Sequence, residues 1–216
     1  MFQSLRLSGL VPSTLPEDAL QTSEVWNTLL EVKRGEHVLV SAASGKGKST
    51  FISILYGLRT DFSGSYVYNG ADSRGMDASL WSTIRSEEMS IVFQDLRLFP
   101  ELSVADNLRV KANLNPSGFQ QEEVEVMCRR LGVAKYLGRK CGTLSFGERQ
   151  RVAIVRALVP KAGLVLMDEP FSHLDRENTE IALGLILEKC AESNAALVIT
   201  SLGQDFGWKY DRILSL

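Results

Sequence analysis

After the apolar run His37-Val38-Leu39-Val40-Ser41, the chain passes through Ala42-Ala43-Ser44-Gly45-Lys46-Gly47-Lys48-Ser49-Thr50 and enters the helix-like stretch Phe51-Ile52-Ser53-Ile54-Leu55. Strand, glycine-containing turn and helix in that order leave the backbone little freedom. The N–H groups of such a turn point inward at an anion, and the start of the helix adds its positive end. The G-x-x-x-x-G-K-[ST] pattern is met at Gly47, Lys48 and Ser49, while Ala42 stands where the first glycine would be. A triphosphate fits this geometry. Lys48 would reach its β- and γ-phosphates and the Ser49 hydroxyl would hold Mg²⁺, with Ala42, Ser44, Gly45 and Thr50 completing the cradle. Lys46 either touches phosphate or points to solvent. Taken alone, the segment also reads as an ordinary glycine-rich turn before a helix.

Short apolar runs of the same kind recur at 36–41, 90–93, 163–167, 195–200 and 211–216, with helical patterns between several of them. That alternation predicts an α/β layer structure with a mostly parallel sheet. The opening segment differs. Leu5 and Leu7 on one side, and Val25, Leu29 and Val32 on the other, flank a turn-rich piece with Pro12, Ser13, Thr14 and Pro16, which predicts antiparallel strands joined by a loop. Trp26 falls in a strand-like stretch and is read as a packing residue. Over 94–142 the strand signal gives way to helices at 103–114 and 120–131, broken by Asn115-Pro116-Ser117-Gly118. The expected organisation is one domain over 1–216, with a core from 1–93 and 143–216 and an inserted helical lobe at 94–142. The sequence stops directly after its last predicted strand, so no further C-terminal domain is expected.

Composition narrows the functional classes. With 24 Lys and Arg against 26 Asp and Glu, the net charge is −2, which argues against nucleic-acid binding by bulk charge. The apolar runs fall far short of the roughly 18 residues needed to span a bilayer. Arg6, Pro12, Pro16, Glu17 and Asp18 interrupt the place where an export signal would need a continuous apolar segment. Cys128, Cys141 and Cys190 are an odd set without CxxC spacing, which points to a reducing compartment with neither disulfide framework nor zinc site. A cytoplasmic location is expected.

A second chemical signal is Leu164-Val165-Leu166-Met167-Asp168-Glu169, an apolar strand ending in two acids. Successive strand residues point to opposite sides, so the two carboxylates are expected to face different ways and do different jobs. In a nucleotide site Asp168 would hold Mg²⁺ through its water shell and Glu169 would polarise the attacking water. The plainer alternative is a strand running out into a polar turn before Pro170.

The third signal is Leu144-Ser145-Phe146-Gly147-Glu148-Arg149-Gln150-Arg151-Val152-Ala153-Ile154-Val155-Arg156-Ala157-Leu158. Ser145 is a plausible N-cap with Glu148 as its capping-box partner, so a helix start is expected there on local grounds. The segment resembles the signature motif of ABC ATPases, in the variant form LSFGE. Pro170-Phe171-Ser172-His173-Leu174-Asp175 is similar to the D-loop and Val92-Phe93-Gln94 to the Q-loop of the same family, and order and spacing agree along nearly the whole chain. The resemblance implies the ABC ATPase fold: a RecA-like P-loop NTPase core with an N-terminal antiparallel β subdomain and an inserted α-helical subdomain. It also implies two nucleotide-binding domains that sandwich two ATP molecules head to tail. Ser145 and Gly147 would then meet the γ-phosphate held by the partner's Lys48, with Glu148 and Asp175 beside the nucleotide and Gln94 among the Mg²⁺ and catalytic groups.

Three positions depart from the family pattern. Ser201 stands where members usually carry a histidine that contacts the γ-phosphate; the two histidines here are His37, read as structural or exposed, and His173, read as an interface residue. A serine can hydrogen-bond phosphate but offers no tunable imidazole. No aromatic residue lies between Leu5 and Leu20 to stack on adenine, and Ala42 replaces a glycine.

The stretch from Gln94 to Leu108 is similar to the lipoprotein-releasing, macrolide-exporter and cell-division branch of ABC ATPases. In transporters this region receives a coupling helix of the membrane subunit, so Leu98, Phe99, Pro100 and Leu102 are expected to be apolar contacts or part of the lobe's own core. The resemblance implies a separate transmembrane permease, a homodimer or heterodimer of nucleotide-binding domains, and peripheral attachment to the inner face of the membrane through the permease. The alternatives are a non-transport ABC ATPase and an ATP-dependent clamp with little turnover.

Overall fold

Strand alternation divides the apolar residues of this chain between two cores on opposite faces of one sheet. The computed structural model describes residues 1–15, 20, 23–114 and 120–216. Pro16 and the expected break at 115–118 lie outside the described residues. The elements are β1 (Ser4–Pro12), β2 (Leu29–Lys33), β3 (His37–Ser41), α1 (Lys48–Leu55), β4 (Phe62–Tyr68), β5 (Ala71–Asp72), α2 (Ala78–Glu87), β6 (Met89–Val92), α3 (Val104–Leu114), α4 (Gln121–Arg130), α5 (Phe146–Leu158), β7 (Leu164–Asp168), α6 (Arg176–Ser193), β8 (Ala196–Ser201) and β9 (Arg212–Ser215).

Five strands form an all-parallel sheet in the order β6-β7-β8-β3-β9. Every residue of β7 and β8 is buried, as expected of strands covered on both faces. Val38, Val40, Leu164, Leu166, Ala196 and Val198 point into one core with α1 and the antiparallel sheet. Their neighbours Leu39, Val165, Met167, Leu197 and Ile199 point into the other, with residues of α3, α4, α5 and α6. Because all five strands run the same way, their C-terminal ends open on one edge. Ser41 is level with Ser201 and Asp168 with Thr200, which gathers the strand-end residues at a single crevice.

The antiparallel sheet has the order β2-β1-β4-β5. Leu5 pairs with Val32 and Leu7 with Leu30, as the hydrophobic pattern requires. No sequence pattern announced β4, β5 or α2. β4 crosses β1 where Gly64 adopts φ 82°, and a Cβ there would lie 2.1 Å from the Gly9 carbonyl oxygen, so the crossing itself requires glycine. Trp26 is corrected from a strand-like position to a turn before β2, and its packing role stands: the ring is fully buried, edge-on to Phe51 at 5.8 Å. All three cysteines are buried thiols. Among the described residues, no helix is long and apolar enough to cross a membrane.

Candidate functional site

The turn between β3 and α1 takes its shape from two glycines in the left-handed region, Gly45 at φ 80° and Gly47 at φ 96°. Gly47 also lies under Leu15 and Trp26, and a Cβ there would sit 2.9 Å from Leu15 Cδ2. Ala42 has no positive φ, so its methyl group carries no backbone strain and the missing first glycine leaves the loop intact. Its N–H bonds the Ser201 carbonyl at 3.1 Å, which ties the loop's entry to the end of β8. Ser44 and Gly45 are exposed and Lys46 is half-buried.

Lys48, the first residue of α1, is only 4% exposed. Its ammonium donates to the Ala42 carbonyl at 2.9 Å and the Ala43 carbonyl at 3.0 Å, and it pairs with Glu169 Oε1 at 3.2 Å. The expectation that Asp168 and Glu169 face apart is overturned by one dihedral. Glu169 adopts φ 48°, so strand alternation ends at Asp168 and both carboxylates turn to the same loop. The Ser49 hydroxyl donates to Gln94 Oε1 at 3.0 Å and lies beside the Asp168 carboxyl. Burial pushes the Asp168 carboxyl above the usual aspartate range; the bonds from Ser49 and Thr200 oppose this, Glu169 adds to the rise and Lys48 opposes it.

Two further residues, singled out by no motif, hold this cluster. The Thr200 hydroxyl donates to Asp168 Oδ1 at 2.7 Å and accepts the Glu169 N–H at 3.1 Å, fixing both acids from the adjacent strand. Gln150, 1% exposed on α5, donates to the Glu169 carbonyl at 3.1 Å and accepts the His173 N–H at 3.1 Å. A polar side chain on the buried face of α5, and a polar end to the apolar run of β8, were the signals available in the sequence.

The signature segment forms the helix that its sequence predicts. Ser145 caps α5 and Glu148 returns the bond to the Ser145 N–H at 2.8 Å, a complete capping box. The Glu148 carboxyl is held down at about 2, first by the Tyr136 hydroxyl and then by the Ser145 N–H. Gly147 lies against the next loop, and a Cβ would be 2.8 Å from the His173 carbonyl oxygen. The Phe146 and His173 rings meet at 4.0 Å. Asp175 caps α6, accepting the Asn178 N–H at 2.8 Å. Signature helix and D-loop segment are thus one interlocked surface.

Ser201 does not present a free donor to the crevice. It is 2% exposed and its hydroxyl donates to the Gln204 carbonyl at 2.7 Å. A cavity of about 180 Å³ opens beside it, lined in part by Glu169, Ser172 and Phe206. Phe99, Pro100 and Leu102 are exposed, whereas Leu98 packs partly against the helical core. Asn107, fully buried, fixes that loop by accepting the Phe99 N–H at 2.8 Å and donating to the Phe99 carbonyl at 3.0 Å.

A family model described as ABC transporter matches residues 26–172. The chain is 36% identical over 174 residues to the thiamine import ATP-binding protein ThiQ of Escherichia coli K12, covering 80% of this chain and 72% of that one. It is 31% identical over 208 residues to the lipoprotein-releasing system ATP-binding protein LolD of Shewanella denitrificans, covering 95% and 89%. Among solved structures, the ATP-binding cassette MJ0796, a dimer in a post-hydrolysis state with ADP and Pi, superposes with a TM-score of 0.84 at 26% identity, over 98% of this chain and 94% of that one. With two sheets and helices placed as in that cassette, the chain belongs to the ABC transporter family and has the fold of its ATP-binding cassettes.

Proposed function

We propose that this chain is the ATP-binding and ATP-hydrolysing subunit of a transporter complex, closing as a homodimer or heterodimer on ATP and driving a separate membrane permease. The observation that carries the reading is the convergence of Lys48, Ser49, Gln94, Asp168 and Glu169 on one loop, with Lys48 and Glu169 in direct contact. In that role residues 94–142 form the helical subdomain of a single cassette, and the chain sits on the cytoplasmic face of the membrane through its permease.

The Lys48 ammonium exchanges its carbonyl partners and its Glu169 ion pair for the β- and γ-phosphate oxygens, which frees Glu169 to face the attacking water. The backbone N–H groups around Gly45 and Gly47, with Ser44, Lys46 and Thr50, receive the phosphates. Ser49, hydrogen-bonded to Gln94 at 3.0 Å and beside Asp168, forms with them an all-oxygen set, the donor chemistry that suits Mg²⁺. Bound there, the ion would neutralise charge on the β- and γ-oxygens. Ser145 and Gly147 of a second cassette complete the enclosure, with Asp175 beside them, while Glu148 holds the capped helix that presents them. The relatives are named for import in one case and lipoprotein release in the other, so transport is their common element and the proposal concerns the motor rather than a cargo.

Lys48→Ala should abolish measurable nucleotide affinity and Glu169→Gln should stop turnover while sparing binding; undiminished affinity in the first variant overturns the reading. A clamp with little turnover is the second reading, favoured by the engagement of Ser201 with Gln204. Loss of one transition-state contact costs on the order of 10² to 10³ in rate. On the clamp reading, Ser201→His raises steady-state ATPase activity of the assembled complex by that order; an already rapid wild type excludes it. Recovery of a permease with the tagged chain from membranes separates transport from the non-transport alternative.

A further inference from the structure

This chain has two histidines. His37 starts β3, so it lies at the edge of the parallel sheet opposite the strand ends that hold the nucleotide site. His173 stands on the exposed surface that the signature helix and the D-loop segment form together. Its ring packs at 4.0 Å on Phe146, the residue between Ser145 and Gly147. Its backbone N–H donates to Gln150 Oε1 at 3.1 Å, a side chain 1% exposed, so the imidazole is carried on a rigid face. The ring is oriented as well as placed. Ser172 Oγ lies 2.9 Å from His173 Nδ1 and donates its single proton to the Glu169 carbonyl at 3.2 Å. It therefore accepts from Nδ1–H, and Nε2 is the nitrogen that can meet a ligand.

Ser145 and Gly147 are the groups that the proposed function aims at the γ-phosphate of a second cassette. A phosphate met by the residues on either side of Phe146 is within reach of the ring stacked on Phe146. At that cassette's own site the hydroxyl of Ser201 is already spent on the Gln204 carbonyl at 2.7 Å. We propose that His173 is a catalytic residue acting in trans: its Nε2–H donates to the γ-phosphate held by Lys48 of a second copy, the role that Ser201 cannot fill. The imidazole protonated at both nitrogens donates to Ser172 and to phosphate at once. Its charge stabilises the oxygens of the transferred group. The inference rests on the proposed function and gives chemistry to a residue that the sequence placed in an interface.

The test uses the full chain carrying Glu169→Gln, labelled with ¹⁵N at its histidines, with ATP and Mg²⁺. The chain should pair on ATP in size-exclusion chromatography, and the His173 signals should move to those of an imidazole protonated at both nitrogens while His37 stays in place. Dilution that separates the pair at saturating ATP should return His173 to its free position, which a contact within one chain would not do. In the assembled complex, His173→Phe keeps a ring on Phe146 and should lower kcat by about 10² to 10³ with nucleotide affinity unchanged. Adding Ser201→His should restore roughly tenfold or more of that loss, whereas Ser201→His alone should add little to the wild type. A His173 signal that ignores pairing, an unchanged kcat in His173→Phe, or a wild type without turnover overturns the inference and leaves the transporter subunit standing. A loss that Ser201→His does not relieve marks a structural role and overturns it too. Failure of the Glu169→Gln chain to pair on ATP overturns both the inference and the dimer on which it rests.

Discussion

At the residue scale, the site works by placing opposed requirements on single side chains. Asp168 is the clearest case, because its folded-state carboxyl is raised above its ordinary 3.8 chiefly by burial. A raised carboxyl contributes stability that is fully present below pH 3.8 and is lost as pH climbs through the raised value, so above that value the ionised group weakens the nucleotide-free fold. Asp168→Asn retains an oxygen to accept from Thr200 and removes the charge. The variant should show a higher urea midpoint than wild type above the raised value, with the advantage shrinking as pH falls toward 3.8, and weaker Mg²⁺-dependent nucleotide binding. Urea titrations at several pH values check this, and an advantage that grew toward acid would contradict it. The identity of Asp168 and Lys48 was legible because their motifs are short and local. Their partners were not. Thr200 acts across a strand pair, and the turn of Glu169 toward Lys48 depends on a left-handed dihedral that a glutamate gives no reason to expect.

At the element scale, the capped starts of α5 and α6 are among the best-specified parts of the fold. α5 begins with a reciprocal Ser145 and Glu148 box, which its sequence announces outright. Ser145→Ala should cost about 1 kcal/mol in urea unfolding, and under the proposed function it would also remove the hydroxyl that meets a second cassette's nucleotide. Glu148 has its carboxyl lowered from 4.5 to about 2. Its stabilising share is therefore complete above pH 4.5 and disappears as pH falls through about 2. Glu148→Gln keeps a capping-box residue at that position but lacks the ionised share, so its stability should be flat with pH and lower than wild type at neutral pH, whereas Glu148→Ala should lose the Glu148 side of the box at every pH. Circular dichroism melts from pH 2 to 7 distinguish the two variants. The parallel strands were readable for a similar reason: burial on both faces leaves continuous apolar runs, as in β7 and β8. β4 and β5 were not, because polar and glycine-containing strands such as Phe62–Tyr68 owe their place to pairing with β1 rather than to their own pattern. The Q-loop turn belongs with them, since Leu96 and Arg97 hold φ 61° and φ 45° against Arg156, a residue 59 positions from Arg97 in the chain.

At the scale of the whole molecule, two apolar cores share one sheet, and the nucleotide site stands on the edge where the strands of that sheet end. Leu166 and Met167 are successive, fully buried residues of β7 that serve opposite cores. Leu166→Ala and Met167→Ala should each cost roughly 2–5 kcal/mol. If each core were an independent unit, each variant would melt its own half first and leave two transitions. The shared β7 backbone argues otherwise, because loosening either face removes the wall on which the other packs, so each variant should unfold in one transition at a lowered midpoint. Ligand linkage supplies a second reading of the same coupling. A nucleotide at about 100 times its dissociation constant adds about 2.7 kcal/mol to whatever unfolds with its site. Because Ser41, Asp168 and Ser201 end strands of the shared sheet, that gain should appear equally in both variants and move their single transitions upward together. A nucleotide that rescued Met167→Ala but not Leu166→Ala would mean that the site answers to one core only.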